Sequence, residues 1–382
     1  MADILPFRAL RYDTQRVQLE KVVTQPHEQI TPEMQARYYE SSPHNLVRVV
    51  KGRPGQTDNS TFNVYTRGAE YLHDWVAGGY LRRDNGPSVY VYSHTFTIPG
   101  TTEAVERRCL IALGRVYDAS QQTLFPFQET IAATVRDRLD LLRATQTTFG
   151  PISTFYTDSG TEVERILRRE DDPEISVLDE ADVLHRIWRI SSSDDIITLQ
   201  RVLGEKLLLL AQGHHSYQAA VAYRNDRRKK VGSEDANAPH EFTMMAFIRW
   251  EAPGFVMQPV HRVLHGLATF DRERMLESLA PFFEVSRIDI RAESRSATTL
   301  LKEAGEGGTT FVAVMRQGAF LLRAKTEAVQ AALRELAPRL RGFDVVQLET
   351  ILLRRILGLS PDAVQDQNNL RYERDAFAAI SW

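Results

Sequence analysis

Cysteine is nearly absent from this chain. Cys109 stands alone, so no disulfide can form within it. Its apolar setting, Cys109-Leu110-Ile111-Ala112-Leu113, predicts a buried and inert thiol. Long hydrophobic runs are missing as well, and none approaches the roughly 20 residues that a membrane-spanning helix needs. Neither sign of charge dominates: 47 Lys and Arg face 50 Asp and Glu, a net charge of −3. That balance leaves no electrostatic footprint for duplex nucleic acid or an anionic membrane. Asp3, Arg8 and Arg11 interrupt the short apolar pieces at the start, so no secretory leader and a reducing cytoplasm are expected.

Familiar catalytic motifs are missing too. His240-Glu241 begins like a metalloprotease helix, but Met244 stands where the second histidine must sit. Gly305-Glu306-Gly307-Gly308 lacks the lysine and hydroxyl residue of a P-loop and precedes a strand, so it reads as a turn after a helix. No Gly-x-Ser-x-Gly elbow occurs, which argues against a hydrolase of that type. No metal site is expected.

What the 382 residues do contain is an alternation of helical and strand-like periods, with 43% hydrophobic content, ample for a substantial core. Thr31-Pro32-Glu33 opens a helix over 31–41, Leu46 to Val50 reads as a strand, and a helix over 62–77 stops at Gly78-Gly79. Strands at 88–96 and 108–117 are expected to pair across the Pro99-Gly100-Thr101 turn region. A helix over 130–147, an extended 151–156, a helix at 161–170, strands within 174–190 and a helix at 194–204 follow. Beyond a strand at 206–211 come strands at 241–250 and 255–260, then helices at 271–281, 295–304, 326–339 and 345–357 around strands at 284–290, 310–315 and 318–323. The expected class is mixed α/β, multi-layered, with mixed sheets and flanking helices. Three regions are expected, 1–160, 161–265 and 266–382, either as separate domains or as one interleaved unit.

The most informative stretch joins Leu207–Ala211 to Gly213, His214, His215 and Ser216. It reads as buried strand, tight turn, helix start. The first turn of a helix leaves N–H groups unpaired and carries partial positive charge, so an anion is attracted there, and a glycine lets a ligand approach closely. The plainer alternative is a strand–helix joint with Ser216 near the cap and a histidine hydrogen-bonded inside. Adjacent histidines on a helix point about 100° apart, which disfavours a shared metal. Downstream, Arg224, Arg227, Arg228, Lys229 and Lys230 either form a phosphate patch or, as such runs usually do, offset the helix dipole and face water. His261-Arg262 pairs a possible proton carrier with an anion-binding fork, unless both are merely edge residues. Asp137, Arg138 and Arg143 share one helix at spacings that admit local ion pairs.

Several short motifs recur in a fixed order: Leu5-Pro6-Phe7-Arg8-Ala9-Leu10-Arg11-Tyr12, Ser42-Pro43-His44-Asn45-Leu46, Pro87-Ser88-Val89-Tyr90, Asp137-Arg138-Leu139, Gly213-His214-His215, Tyr223-Arg224, Pro259 with His261-Arg262, and the tail from Arg371-Tyr372 to Asp375. Together they resemble the bacterial family known as domain of unknown function 1015. That family shows Asp-Gly-His-His-Arg-Tyr at the turn. Its Gly-His-His-Arg box is similar to the phosphate-contacting box of the ParB/sulfiredoxin-like superfamily, which includes nucleotide-dependent free-serine kinases.

The resemblance implies a nucleotide, ATP or ADP with Mg²⁺, and phosphoryl transfer to a small hydroxylated metabolite such as serine. Gly213, His214, His215 and Ser216 would cradle phosphate, Arg48 and Arg262 would neutralise charge with His261 beside them, and Glu28 would accept the hydroxyl proton. His27, Asp137, Arg138 and Arg143 would support them. This chain departs from the pattern at several places: Gln212 replaces aspartate, Ser216 replaces arginine, Phe127-Gln128 replace His-Glu, and Val135 replaces lysine. His27-Glu28 after Pro26 is a milder change. Losing one transition-state charge partner costs on the order of 3–4 kcal/mol. Two expectations therefore stand: a phosphotransferase, or a binding or regulatory relative that has lost turnover.

Overall fold

The computed structural model describes residues 2–382 except 99–100, 127–129, 233–234, 253, 255–259, 268–269, 290–296, 337, 361–368 and 374. Its contacts divide the chain into two units, Met1–Val256 and Met257–Trp382. The class is mixed α/β.

In the first unit the strands are Ile4–Leu5 (β1), Leu10–Tyr12 (β2), Leu81–Arg83 (β3), Val89–Thr97 (β4), Ala104–Arg115 (β5), Leu124–Phe125 (β6), Ile152–Tyr156 (β7), Ile175–Leu178 (β8), Leu184–Ile190 (β9), Leu208–Gln212 (β10) and Phe242–Arg249 (β11). The helices are Pro32–Ser41 (α1), Val47–Val50 (α2), Val64–Ala77 (α3), Ala132–Thr145 (α4), Glu162–Leu167 (α5), Ser193–Gly204 (α6) and His214–Val231 (α7). Nine strands form one sheet in the order β6-β10-β7-β11-β5-β4-β9-β8, with β1 also on β5. The pairs β10–β6 and β11–β7 are parallel and the remainder antiparallel.

Because β4 pairs β9 and β10 pairs β7, the boundary expected at 160 runs through a single sheet. Residues 1–160 and 161–256 therefore interleave, and the division falls at 256/257 instead. The central strands are apolar on both sides. Val89, Val91, Leu110, Ala112, Met245 and Phe247 pack on one face with residues of α5, α6 and α7. Cys109, Ala246 and Ile248 cluster on the other, where burial pushes the Cys109 thiol up to about 12. Gly114 permits this closeness: a Cβ there would meet the Met245 sulfur at 2.4 Å. A helical layer adjoins the sheet, with α4 against α7 and α3, and α3 against α2.

One apolar run departs from expectation. Val47–Val50 is a helical turn, although Val47 and Val49 alternate in burial as a strand would. Asn45 decides it. Its Oδ1 accepts from the Val47 amide at 2.9 Å, while its Nδ2 donates to the Lys21 carbonyl at 2.8 Å. A side chain that satisfies the backbone locally starts a turn where propensity alone favours extension.

The second unit has strands His261–Leu264 (β12), Phe283–Ile288 (β13), Thr310–Met315 (β14), Gly318–Ala324 (β15) and Leu370–Glu373 (β16). Its helices are Arg272–Leu279 (α8), Ala297–Gly305 (α9), Thr326–Ala332 (α10), Asp344–Gln347 (α11) and Ala376–Ser381 (α12). The antiparallel sheet β13-β15-β14 packs Phe283 and Leu322 with Leu279, Val329 and Ile351. Two long helical expectations are revised: α10 ends at Ala332, and α11 continues as a π-helix over Leu348–Ile356. The strand expected at 255–260 lies mostly outside the described residues.

The basic run on α7 is not uniformly solvated. Arg224 is 1% exposed; its Nη1 donates to the Val116 carbonyl at 2.6 Å, and it also contacts Asp118 and Asn225. Arg228 forms a two-pronged pair with buried Glu241 at 2.6 Å on both arms, whereas Lys229 and Lys230 face water. One turn and more before them, the Tyr217 hydroxyl donates to the Tyr117 carbonyl and accepts from its amide. Tyr217, Arg224 and Arg228 share one stripe of the helix, seven and four residues apart. Removing a buried charge from such a network strands its acceptors, so Arg224→Ala is expected to cost about 3 kcal/mol. Urea unfolding checks this; a loss below about 0.5 kcal/mol would show that the clip carries no weight.

Candidate functional site

The Leu-rich strand β10 ends at Gln212, and Gly213 turns the chain with φ +91° before α7 begins. The expected strand–turn–helix order is what the structure contains. The Gly213 carbonyl accepts the first helical bond, from Tyr217, and no side chain caps the helix. The earliest amides of α7 therefore project from its start without helical acceptors. A Cβ on Gly213 would meet Ile152 at an ordinary 3.5 Å, so conformation rather than space demands glycine.

The two imidazoles part company at this turn. His214 is 3% exposed, while the His215 ring is only half-buried. Burial lowers the His215 pKa, opposed by Glu28 and reinforced by Arg138, whose charges both reach it. These partners come from distant places in the chain. Glu28 lies in a short 3-10 turn after Pro26, and Arg138 lies on α4.

Arg138 is the centre of the cluster. Its side chain is 10% exposed, and its Nη2 contacts His27 Nδ1, lying 3.9 Å from Glu28 Oε1 and 3.8 Å from Asp137 Oδ2. Its Nε is buried without a hydrogen-bond partner among the described residues. Asp137 accepts from the Tyr65 hydroxyl at 2.8 Å, and the Lys51 ammonium donates to the carbonyls of Ile30 and His27 at 2.5 and 3.3 Å. Burial, then Arg138 and Lys51, push His27 down to about 4. An uncharged imidazole is thus held against a buried cation. The helices α4 and α7 also border an open cleft of about 570 Å³, whose lining includes Val135, Leu139, Gln218 and Ala222 and none of the cluster residues. Gln218 and Ala222 follow His215 on one face of α7, three and seven residues on.

A family model described as protein of unknown function, DUF1015, matches residues 4–346. The chain belongs to this family. No curated protein and no solved structure matches it.

In this DUF1015 member, Gly213, His214, His215 and Ser216 stand together by chain continuity, the charges of Glu28 and Arg138 act on His215 through space, and His27 and Asp137 contact Arg138. Arg48 does not take part. It donates to the Tyr39 carbonyl at 2.7 Å and lies over the Tyr39 and Tyr71 rings. Arg143 instead bridges α4 to α7 through Asp226 at 2.5 Å. His261 and Arg262 belong to the second unit, on β12, where Arg262 donates to the Val260 carbonyl, pairs with Glu349 and covers Tyr372. Phe127 and Gln128 lie outside the described residues. Lys51 and Tyr65 went unnoticed in the sequence; neither sits in a motif, and only the fold brings them to His27 and Asp137.

Two outcomes are expected. Gly213→Ala places a Cβ in the left-handed region and should destabilise the protein by about 1–2 kcal/mol, read by chemical denaturation. The second concerns pH. Between the ordinary imidazole value of 6.5 and about 4, the unfolded chain takes a proton that folded His27 refuses. Stability is therefore full above that window and falls as pH drops through it. His27→Gln should flatten the fall in urea midpoint between pH 7 and 4.5, the remaining slope being due to groups such as His94; an unchanged slope would refute the assignment.

Proposed function

We propose that the first turn of α7, with His215 and Arg138, receives the phosphates of a nucleotide, ATP or ADP with Mg²⁺. The reaction in this reading is a kinase-like transfer to a small hydroxylated metabolite such as serine. One observation carries it: a guanidinium nine-tenths buried, with Nε unpartnered among the described residues, whose charge reaches the imidazole at a helix start that no side chain caps. Where the family's box has arginine, this chain has Ser216, and Arg138 supplies from α4 the cation that Ser216 lacks. A ParB/sulfiredoxin-like kinship of the Gly-His-His turn belongs to the same reading.

In the transfer, the bond from the terminal phosphorus to the oxygen of the leaving nucleotide breaks, releasing ADP from ATP or AMP from ADP, and a bond to the acceptor oxygen forms. The acceptor's proton passes to Glu28. That carboxylate is exposed yet held near the turn by Arg138, so it is open to an incoming hydroxyl. Neutral His215 can donate an N–H to a phosphate oxygen. Among the described residues no group of three His, Cys, Asp or Glu is placed to hold a metal. Mg²⁺ would ride on the nucleotide's own phosphates, with Glu28 and Asp137 as the protein carboxylates beside them. A binding or regulatory role without turnover is the second reading, supported by Gln212 and Ser216 at the turn and by the alkyl wall that Val135 gives the cleft.

Thermal unfolding with ATP or ADP and Mg²⁺ separates these. A ligand at a hundredfold excess over its Kd adds about 2.7 kcal/mol to the native state. The wild type should shift, and Arg138→Gln and His215→Ala should each lose most of that shift. The absence of any nucleotide shift overturns both the site and the reaction. A shift with neither ADP release from ATP nor AMP release from ADP on adding serine leaves the binding role standing and removes the kinase.

A further inference from the structure

A second cationic site lies on the sheet face that carries Cys109, away from the α7 turn. Strand register places Arg107 of β5 opposite His94 of β4, and His94 opposite His185 of β9, in one row across three strands. Arg107 is half-buried and, among the described residues, makes no hydrogen bond or ion pair. Burial lowers its pKa, and the groups opposing that are Cys109 and Tyr92, neither of them a carboxylate. The reverse face at the same level does hold a carboxylate: Glu106 pairs with Arg108 at 3.1 Å and Arg186 at 3.8 Å.

The carboxylate on the Arg107 side is already occupied. Asp179 accepts from the Gln25 side chain at 3.0 Å and from the Ala181 and Val183 amides at 2.9 Å. It also lies 3.2 Å from His185 Nε2, which fixes that proton on Nε2 and leaves Nδ1 to accept from the Tyr92 hydroxyl at 2.6 Å. His94 lies between the Tyr92 and Phe96 rings, at 5.6 and 5.5 Å, with no hydrogen bond to either nitrogen among the described residues. Its pKa is pushed down to about 4 by burial, Arg107 and His185, so one N–H and no charge is what it offers.

A partly desolvated guanidinium without an acceptor is costly, and such a group calls for an unseen counterpart. We propose that Arg107 and His94 form an oxyanion-binding site, with the Tyr92–His185–Asp179 chain as its rigid wall. The ligand class is a small molecule bearing a carboxylate or a phosphate, either of which matches the two-pronged guanidinium fork. The site is independent of the nucleotide reading, because none of its residues belongs to the α7 cluster.

The test follows the imidazole C–H resonances of His94 and His185 in the full chain while sodium succinate or sodium phosphate is titrated at constant ionic strength against sodium chloride. Saturable shifts with either anion are expected, and the tighter of the two identifies carboxylate or phosphate as the source. Arg107→Gln should weaken binding by at least about tenfold. Arg107→Lys, which keeps the charge without the fork, should fall between, and Arg201→Gln, at an exposed arginine of α6 that pairs with Glu162, should match wild type. Shifts no larger than in chloride, or equal affinity in well-folded Arg107→Gln, overturn the proposal.

Discussion

The placement of α7 governs the first unit. A helix that begins at a strand end is free to pivot about its glycine unless something fixes its far turns, and here three polar side chains do so. Tyr217, Arg224 and Arg228 reach from one stripe of the helix to Tyr117, Val116 with Asp118, and Glu241, which flank the ends of β5 and β11. These bonds are made to backbone carbonyls and carboxylates inside or at the edge of the fold, so their geometry is directional where apolar packing would be forgiving. Holding α7 in this way fixes where its first turn points.

In the proposed site the charge at that turn is supplied indirectly. The glycine-histidine box itself offers only Ser216, on the first turn of α7. Arg138 stands instead on α4, a helix packed between α3 and α7, and is steered by His27, Glu28 and Asp137. Keeping His27 uncharged matters to this arrangement, because a second cation beside a buried guanidinium would repel it. The desolvation that depresses the His27 pKa is therefore the same condition that lets Arg138 stay near the helix start.

Legibility in the sequence followed the range of the forces involved. Strands β4, β5 and β11, the hairpin β14–β15 and the joint at Gly213 rest on local alternation and a glycine stop, and each lies close to where the pattern put it. Val47–Val50 did not, since four apolar residues carry no period and the side chain of Asn45 settled the matter. Arg224 was hidden in a basic run that looked solvated; its seven-residue spacing from Tyr217 was the available signal. The meeting of residues 28, 138 and 215 has no local signature at all. It depends on sheet order, and the same holds for the row of Arg107, His94 and His185, which the alternation of β4 and β5 prepares but only strand pairing assembles.

The order of strands has a bearing on how this sheet comes together. β5 gains β4 through a local hairpin, but it must also receive β1 and β11 from far along the chain, and Leu124 must find Leu208 before β6 has a partner. Pairings so distant along the chain close late and slowly, because loop entropy is spent before any contact repays it. Until β11 arrives, Leu110, Ala112 and Met245 have no shared interior, and open strand edges are prone to self-association. The assembly route of this domain is thus a candidate for chaperone dependence, a liability written into its topology and absent from any single residue.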